Sequence, residues 1–380
     1  MGQAPNSQRI HSLDGLRGVA CLAVLFLHVA MMLELWGTDG AYPLIPGTPA
    51  VIVFFVLSGV VLSIVPLSRL RLGETYDWLG YYPRRVVRLG LPLVVAVALG
   101  IVAGYVAWRM GSTGRSATAV AFSGSPQQVV HDVLMQFDVL FFVSDDVQTL
   151  FGEPLVRVNS PVWSMGWELW FSLTLPLAVV CLARVRREGA AALALLAGIF
   201  VSHWCGYFPL RLCLTFWLGV LLARRLPELS ARRPPAVCEA VALVALLGVI
   251  ELAQAAQAGL LGPLDALALA ALQTLMNAAC AGLVALAMTD GFVRRALSTR
   301  PVRFLGAVSF SLYLTHSIVI GGLEVVLPAV GVTNALVQAG VAVLACLAFA
   351  VVFWRLVERP AIDLSRRVGR ALGEPAGRHA

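Results

Sequence analysis

Residues 16–36 read LRGVACLAVLFLHVAMMLELW, and this run decides the fold. From Gly18 to Leu33 its one ionisable side chain is His28. A helix needs about 20 predominantly apolar residues to cross the hydrocarbon of a bilayer, and this run supplies them. The pattern recurs nine more times in 380 residues, at approximately Pro49 to Leu67, Leu89 to Trp108, Val162 to Ala183, Ala190 to Trp204, Phe208 to Ala223, Ala236 to Ala256, Leu264 to Met288, Phe304 to Leu323 and Asn334 to Trp354. The run from Ala190 is short for a full crossing. Composition agrees. Hydrophobic residues make up 59% of the chain and charged residues only 13%, where a soluble domain carries about 25% charged. Disorder is excluded too, since it needs low hydrophobicity and high charge. The expected class is all-α, a polytopic membrane protein with about ten transmembrane helices.

The net charge is +7, from 28 basic and 21 acidic residues, and every basic residue is arginine. With so much Ala, Gly, Val and Leu, this points to a GC-rich bacterial genome. A basic chain can bind nucleic acid, but anchoring at the inner face of a membrane explains these arginines better. Placing the N-terminus in the cytoplasm and alternating the spans puts 24 of the 28 arginines inside and leaves Arg109, Arg115, Arg157 and Arg211 outside. A miscounted span would scramble that asymmetry, so the positive-inside rule supports cytoplasmic N- and C-termini. The first run carries Arg17 and His28 and lacks an A-x-A cleavage site, so it reads as a retained helix and not a removed leader. The long outer connection, about Arg109 to Pro161, turns apolar at Val133 to Val143, which is too short to cross. That piece reads either as an interfacial or re-entrant lid element or as an ordinary surface helix. The tail, 359–380, is basic and amphipathic and is expected on the inner leaflet.

The seven cysteines lie in or beside apolar runs and form no C-x-x-C pair. They read as small packing residues, not as disulfides or metal ligands. The chain contains no Walker A loop, no dinucleotide fingerprint, no Gly-x-Ser-x-Gly elbow and no zinc-type cluster.

Ionisable side chains inside spans are costly and mark function. Eleven residues of helix separate Arg17 from His28, about 16 Å of rise, which sets His28 near the membrane centre. Its imidazole can accept a proton, or it can simply bridge two helices. Arg85 and Arg88 share a helix face at i and i+3. They suit phosphates on a soluble donor, or they only anchor the helix. Glu168 must find a donor, a proton or water. Trp163, Trp167 and Trp170 around it suit an interfacial belt or a sugar-stacking wall. His316 follows Tyr313 well inside the ninth run.

These residues together resemble the integral-membrane acyltransferase-3 family, which includes O-antigen, exopolysaccharide and macrolide O-acyltransferases. The resemblance runs from about Ser12 to Glu358, leaving 359–380 as a tail. Its carriers are Leu13-Asp14-Gly15-Leu16-Arg17-Gly18 leading to His28, Phe54-Phe55-Val56-Leu57-Ser58-Gly59, Arg85-Val86-Val87-Arg88, Asn159-Ser160-Pro161-Val162-Trp163-Ser164 leading to Glu168, Ser309 through Tyr313 to His316, and Glu358-Arg359-Pro360. The chain departs from the family at Leu169, Ser172, Phe310 and Thr315. The resemblance implies acyl transfer from cytoplasmic acyl-CoA, acetyl-CoA foremost, to a hydroxyl of a carbohydrate or glycoside acceptor. It implies no resident cofactor and no nucleic-acid partner. Membrane lipids surround the chain, and a homodimer remains open. His28 is then the general base, Arg85 and Arg88 hold the donor, and Glu168 and His316 complete the catalytic group. Arg17, Tyr313 or Ser309 would supply a donor to the oxyanion. Direct transfer and an acyl-histidine intermediate both fit. A rival from another class is a multipass transporter or flippase, in which buried His and Arg are also expected. A nonenzymatic scaffold would give no reason for a central His28.

Overall fold

The computed structural model describes residues 10–33, 47–112, 120, 122–141 and 157–373. Each of the ten apolar runs overlaps a helix in its described residues. These are α1 (His11–Met32), α2 (Gly47–Arg71) and α3 (Trp78–Arg109), then, after a short α4 (Pro126–Met135), α5 (Trp163–Ala183), α6 (Glu188–Trp204), α7 (Phe208–Arg224), α8 (Ala236–Gln257), α9 (Ala266–Met288), α10 (Arg300–Ala329) and α11 (Ala335–Phe353). A last helix, α12, spans Arg359–Gly373. No strand occurs among the described residues. Among the described residues, eight helices are long and apolar enough to cross a membrane, while α6 and α7 have 17 residues each. Many large apolar side chains remain exposed, such as Val237 at 74% and Leu336 at 84%. Water would penalise such surfaces and hydrocarbon does not. The protein is an all-α polytopic membrane protein.

The third helix starts eleven residues before its apolar run, at Trp78. Asp77 is the reason: its side chain accepts from the Gly80 amide at 2.8 Å and caps the first turn. Arg85 and Arg88 therefore lie about two and about three turns inside α3. Between α6 and α7, Gly206 at φ 68° permits the tight reversal.

The chain divides into two compact units: residues 1–27, 37–76 and 174–309, and residues 28–36, 77–173 and 310–380. In the first unit, α2 and α7 cross at Gly59 and Gly219. A methyl group on Gly59 would strike the Phe216 carbonyl, and one on Gly219 would strike that of Val56. Gly15, Gly18 and Gly306 allow equally close backbone approach where α1 meets Leu297 and Leu305. Small residues at crossings are the usual device where lipid removes the hydrophobic drive. Buried Glu239 accepts from the Phe292 and Val293 amides at 2.6 and 3.1 Å. Arginines tie several helix ends together. Arg71 donates to the Arg224 carbonyl at 2.5 Å. Arg224 in turn reaches the Val185 carbonyl at 3.0 Å and Glu188 at 3.0 Å. The connections that charge alternation puts on one side thus meet at one end of this unit.

In the second unit, Leu89, Leu93, Ala96 and Val97 of α3 pack with Val162, Met165 and Leu169 near and within α5, Leu314 and Ile318 of α10, and Phe353 of α11. A single π turn, Trp354–Glu358, follows α11. Of the long outer connection, 113–119, 121 and 142–156 lie outside the described residues, and so does part of the apolar stretch expected there. The described part is held to its own unit. Arg157 donates to Asp138 at 2.8 Å with both side chains buried, and the Val158 amide donates to Gln136 Oε1 at 3.0 Å. The tail helix α12 docks on α3 through its buried face, Ala361, Ser365 and Gly369.

Candidate functional site

The second unit gathers most of the residues singled out from the sequence. Half-buried His28, near the end of α1, lies with its ring centroid 4.7 Å from that of His316 on α10, edge to face at 78°. His316 is 1% exposed. Its Nδ1 lies 3.0 Å from the Leu312 carbonyl oxygen, four residues back on the same helix. A carbonyl only accepts, so Nδ1 carries the proton and donates. A neutral His316 ring then presents Nε2 as a lone-pair acceptor, and that atom has no hydrogen-bond partner among the described residues. Cys346 of α11 donates through Sγ to the His316 carbonyl at 3.7 Å.

Tyr313 lies one turn before His316, with ring centroids 5.9 Å apart. Its hydroxyl is 2.8 Å from Ser164 Oγ on α5. Ser164 Oγ in turn lies 3.1 Å from the Pro161 carbonyl. Ser164 has one proton to donate. If that proton goes to the Pro161 carbonyl, Tyr313 must donate to Ser164. Asn159, buried just before α5, donates through Nδ2 to the Leu314 carbonyl at 2.7 Å. Its Oδ1 has no partner among the described residues. The α5 entrance is thereby stitched to the α10 turn that carries Tyr313 and His316.

A second polar cluster joins α3 to α5. The Arg85 guanidinium pairs through Nη2 with Glu168 Oε1 and donates through Nε to Ser172 Oγ at 2.8 Å. The Arg85 and Glu168 side chains are only 11% and 13% exposed. Ser172 donates to the Glu168 carbonyl at 2.8 Å. The donor that Glu168 requires is therefore Arg85, and much of the Arg85 charge is spent inside the helix pair. Arg88, one turn later, is exposed.

The remaining candidates belong to the first unit. Arg17 has Asp14 at 3.9 Å. Buried Ser309 donates to the Gly306 carbonyl at 2.9 Å. On α10 below Tyr313, Ser311 donates to Glu358 of the π turn at 2.5 Å, with both residues buried. A π turn shifts the register of the residues it contains, and this one carries the Glu358 carboxyl that Ser311 meets. Asn159, Ser164, Ser172 and Ser311 had no assigned role from sequence. The only signal was their place in or beside motifs otherwise read for His28, Glu168 and His316.

The chain belongs to the acyltransferase-3 family. The family model, described as an acyltransferase domain, matches residues 10–355. No curated protein and no solved structure gives a significant match. Family and fold together make this a multi-pass membrane acyltransferase.

Proposed function

We propose that the protein is an O-acyltransferase of the bacterial cytoplasmic membrane. It moves an acyl group, acetyl foremost, from cytoplasmic acyl-CoA to a hydroxyl of a carbohydrate-containing acceptor. A surface polysaccharide, a lipid-linked saccharide or a glycosylated natural product would each offer that hydroxyl. The observation that carries this reading is the His28–His316 pair at 4.7 Å, with one ring tautomer set by the Leu312 carbonyl.

His28 takes the acceptor hydroxyl's proton as the oxygen attacks the thioester carbonyl. Collapse of the tetrahedral intermediate expels CoA thiolate, which recovers the proton from His28. His316 is the positioning partner. A neutral His316 ring adds no like charge to oppose the imidazolium that forms transiently on His28 beside it. Tyr313 donates to the developing oxyanion by exchanging its Ser164 bond for a new one. Arg85 holds Glu168 and the α3–α5 contact, and exposed Arg88 is the cation of this motif proposed to meet the phosphates of the donor.

The test uses the purified chain in nanodiscs with radiolabelled acetyl-CoA and a panel of saccharide acceptors. The expected result is acceptor-dependent transfer of label, lost in His28→Ala. Movement of an unmodified solute without acyl-CoA consumption would replace the reading with a transporter.

A further inference from the structure

With the Arg85 charge committed to Glu168, the other cations of the second unit gain importance. Arg84, one residue earlier on α3, leaves that pair and faces α12. Together with Asp363, Arg366, Arg367 and Arg370 of α12 it lines a cavity of about 540 Å³. The cleft is built by close packing. Buried Ala361, Ser365 and Gly369 recur every four residues, so small side chains form one stripe of α12. A methyl group on Gly369 would strike the Arg84 side chain, and one on Gly80 would meet the Gly369 carbonyl oxygen at 3.1 Å. The docked stripe turns Asp363, Arg366, Arg367 and Arg370 towards one opening.

Charge in that opening is not balanced. Arg84 has Asp77 at 3.7 Å, and Arg366 has Asp363 at 3.3 Å. Arg367 and Arg370 form no ion pair with any described carboxylate. Arg366 and Arg370 are like charges at i and i+4, which repel on a helix. Inner-leaflet anchoring needs basic residues near the surface but does not require four of them around one concavity. Guanidinium forks match phosphate bidentately, and the volume falls within the range of pockets that take small molecules and cofactors.

We propose that Arg84, Arg366, Arg367 and Arg370 form a binding site for a phosphate-bearing anion. Two sources share this chemistry: the diphosphate and 3′-phosphate of acyl-CoA, and the headgroup of an anionic phospholipid. The first source rests on the acyltransferase reading above, and the cleft itself does not.

The experiment uses the full chain in nanodiscs of two kinds, phosphatidylcholine alone and phosphatidylcholine with phosphatidylglycerol. Adenosine 3′,5′-bisphosphate is the nucleotide probe, followed by calorimetry in the first discs. Phosphatidylglycerol retained on the protein is counted by native mass spectrometry from the second. The variants are R367Q/R370Q and the charge-keeping R367K/R370K. For a nucleotide site, bisphosphate Kd rises at least about tenfold in R367Q/R370Q and by less in the lysine variant. For a lipid site, the bisphosphate does not bind, and R367Q/R370Q loses retained phosphatidylglycerol. Unchanged binding of both probes in both variants overturns the proposal. Absence of acyl transfer by the parent chain, with either binding loss intact, would sink the acyltransferase reading and leave the cleft standing. Acyl-CoA-dependent transfer with neither probe affected would do the reverse.

Discussion

Arg85 and Glu168 offer a quantitative test because removing either one alone takes this ion pair from a charge that stays in a nearly closed site. Their side chains are 11% and 13% exposed, and Arg85 has one further contact, to Ser172 at 2.8 Å. Replacing Glu168 with Leu leaves a guanidinium in a nearly closed site, and Arg85→Leu leaves a carboxylate there. Removing one partner of a buried pair costs about 3–5 kcal/mol. Removing both strands no charge, and replacing a buried pair with apolar residues is often close to neutral. Ser172 stays satisfied in the double variant because it also donates to the Glu168 backbone carbonyl at 2.8 Å. Each single variant should therefore lose about 3 kcal/mol or more, and Arg85→Leu/Glu168→Leu no more than either. Reversible unfolding in mixed micelles, analysed as a double-mutant cycle, measures this. Single losses below about 1 kcal/mol that add within about 0.5 kcal/mol would refute a coupled buried pair.

Other perturbations follow from the same geometry. Ser311→Ala removes the hydroxyl that donates to buried Glu358 at 2.5 Å. It should lower stability by about 1.5–3 kcal/mol, read as a fall in Tm, and an unchanged melt would contradict it. Gly59→Leu forces a side chain against the Phe216 carbonyl at the α2–α7 crossing. A loss of about 1–3 kcal/mol is expected from overpacking, and wild-type Tm and yield would argue against that crossing. His316→Ala should slow turnover while leaving KM for acyl-CoA near its original value, because His316 acts through His28. A raised KM with kcat intact would place it in donor binding instead.

Much of the fold was legible because a membrane span is set by one variable, apolar length. Every run from Leu16 to Trp354 overlaps a helix, most with bounds within a few residues, while α3 and α10 reach beyond theirs. The start of α3 was not legible. Tyr81-Tyr82-Pro83-Arg84-Arg85 breaks the apolar pattern, yet Asp77 caps a helix that already includes it. In the site, the need of Glu168 for a donor could be read from its burial, but Arg85 as that donor could not. The two are 83 residues apart, and no periodicity pairs them. The same holds for His28 and His316. The docking of α12 had a readable trace in Ala361, Ser365 and Gly369, small residues at helical spacing. The reading of a basic tail resting on lipid passed over that stripe.

The central claim is that the His28 imidazole carries the proton transfer. The most direct measurement is single-turnover acyl transfer by His28→Ala in nanodiscs, with insertion and Tm matched to the parent chain. The account predicts a rate lower by roughly 10²–10⁴-fold, the usual contribution of a general base. A rate within about twofold of the parent would show that the reaction does not pass through this ring.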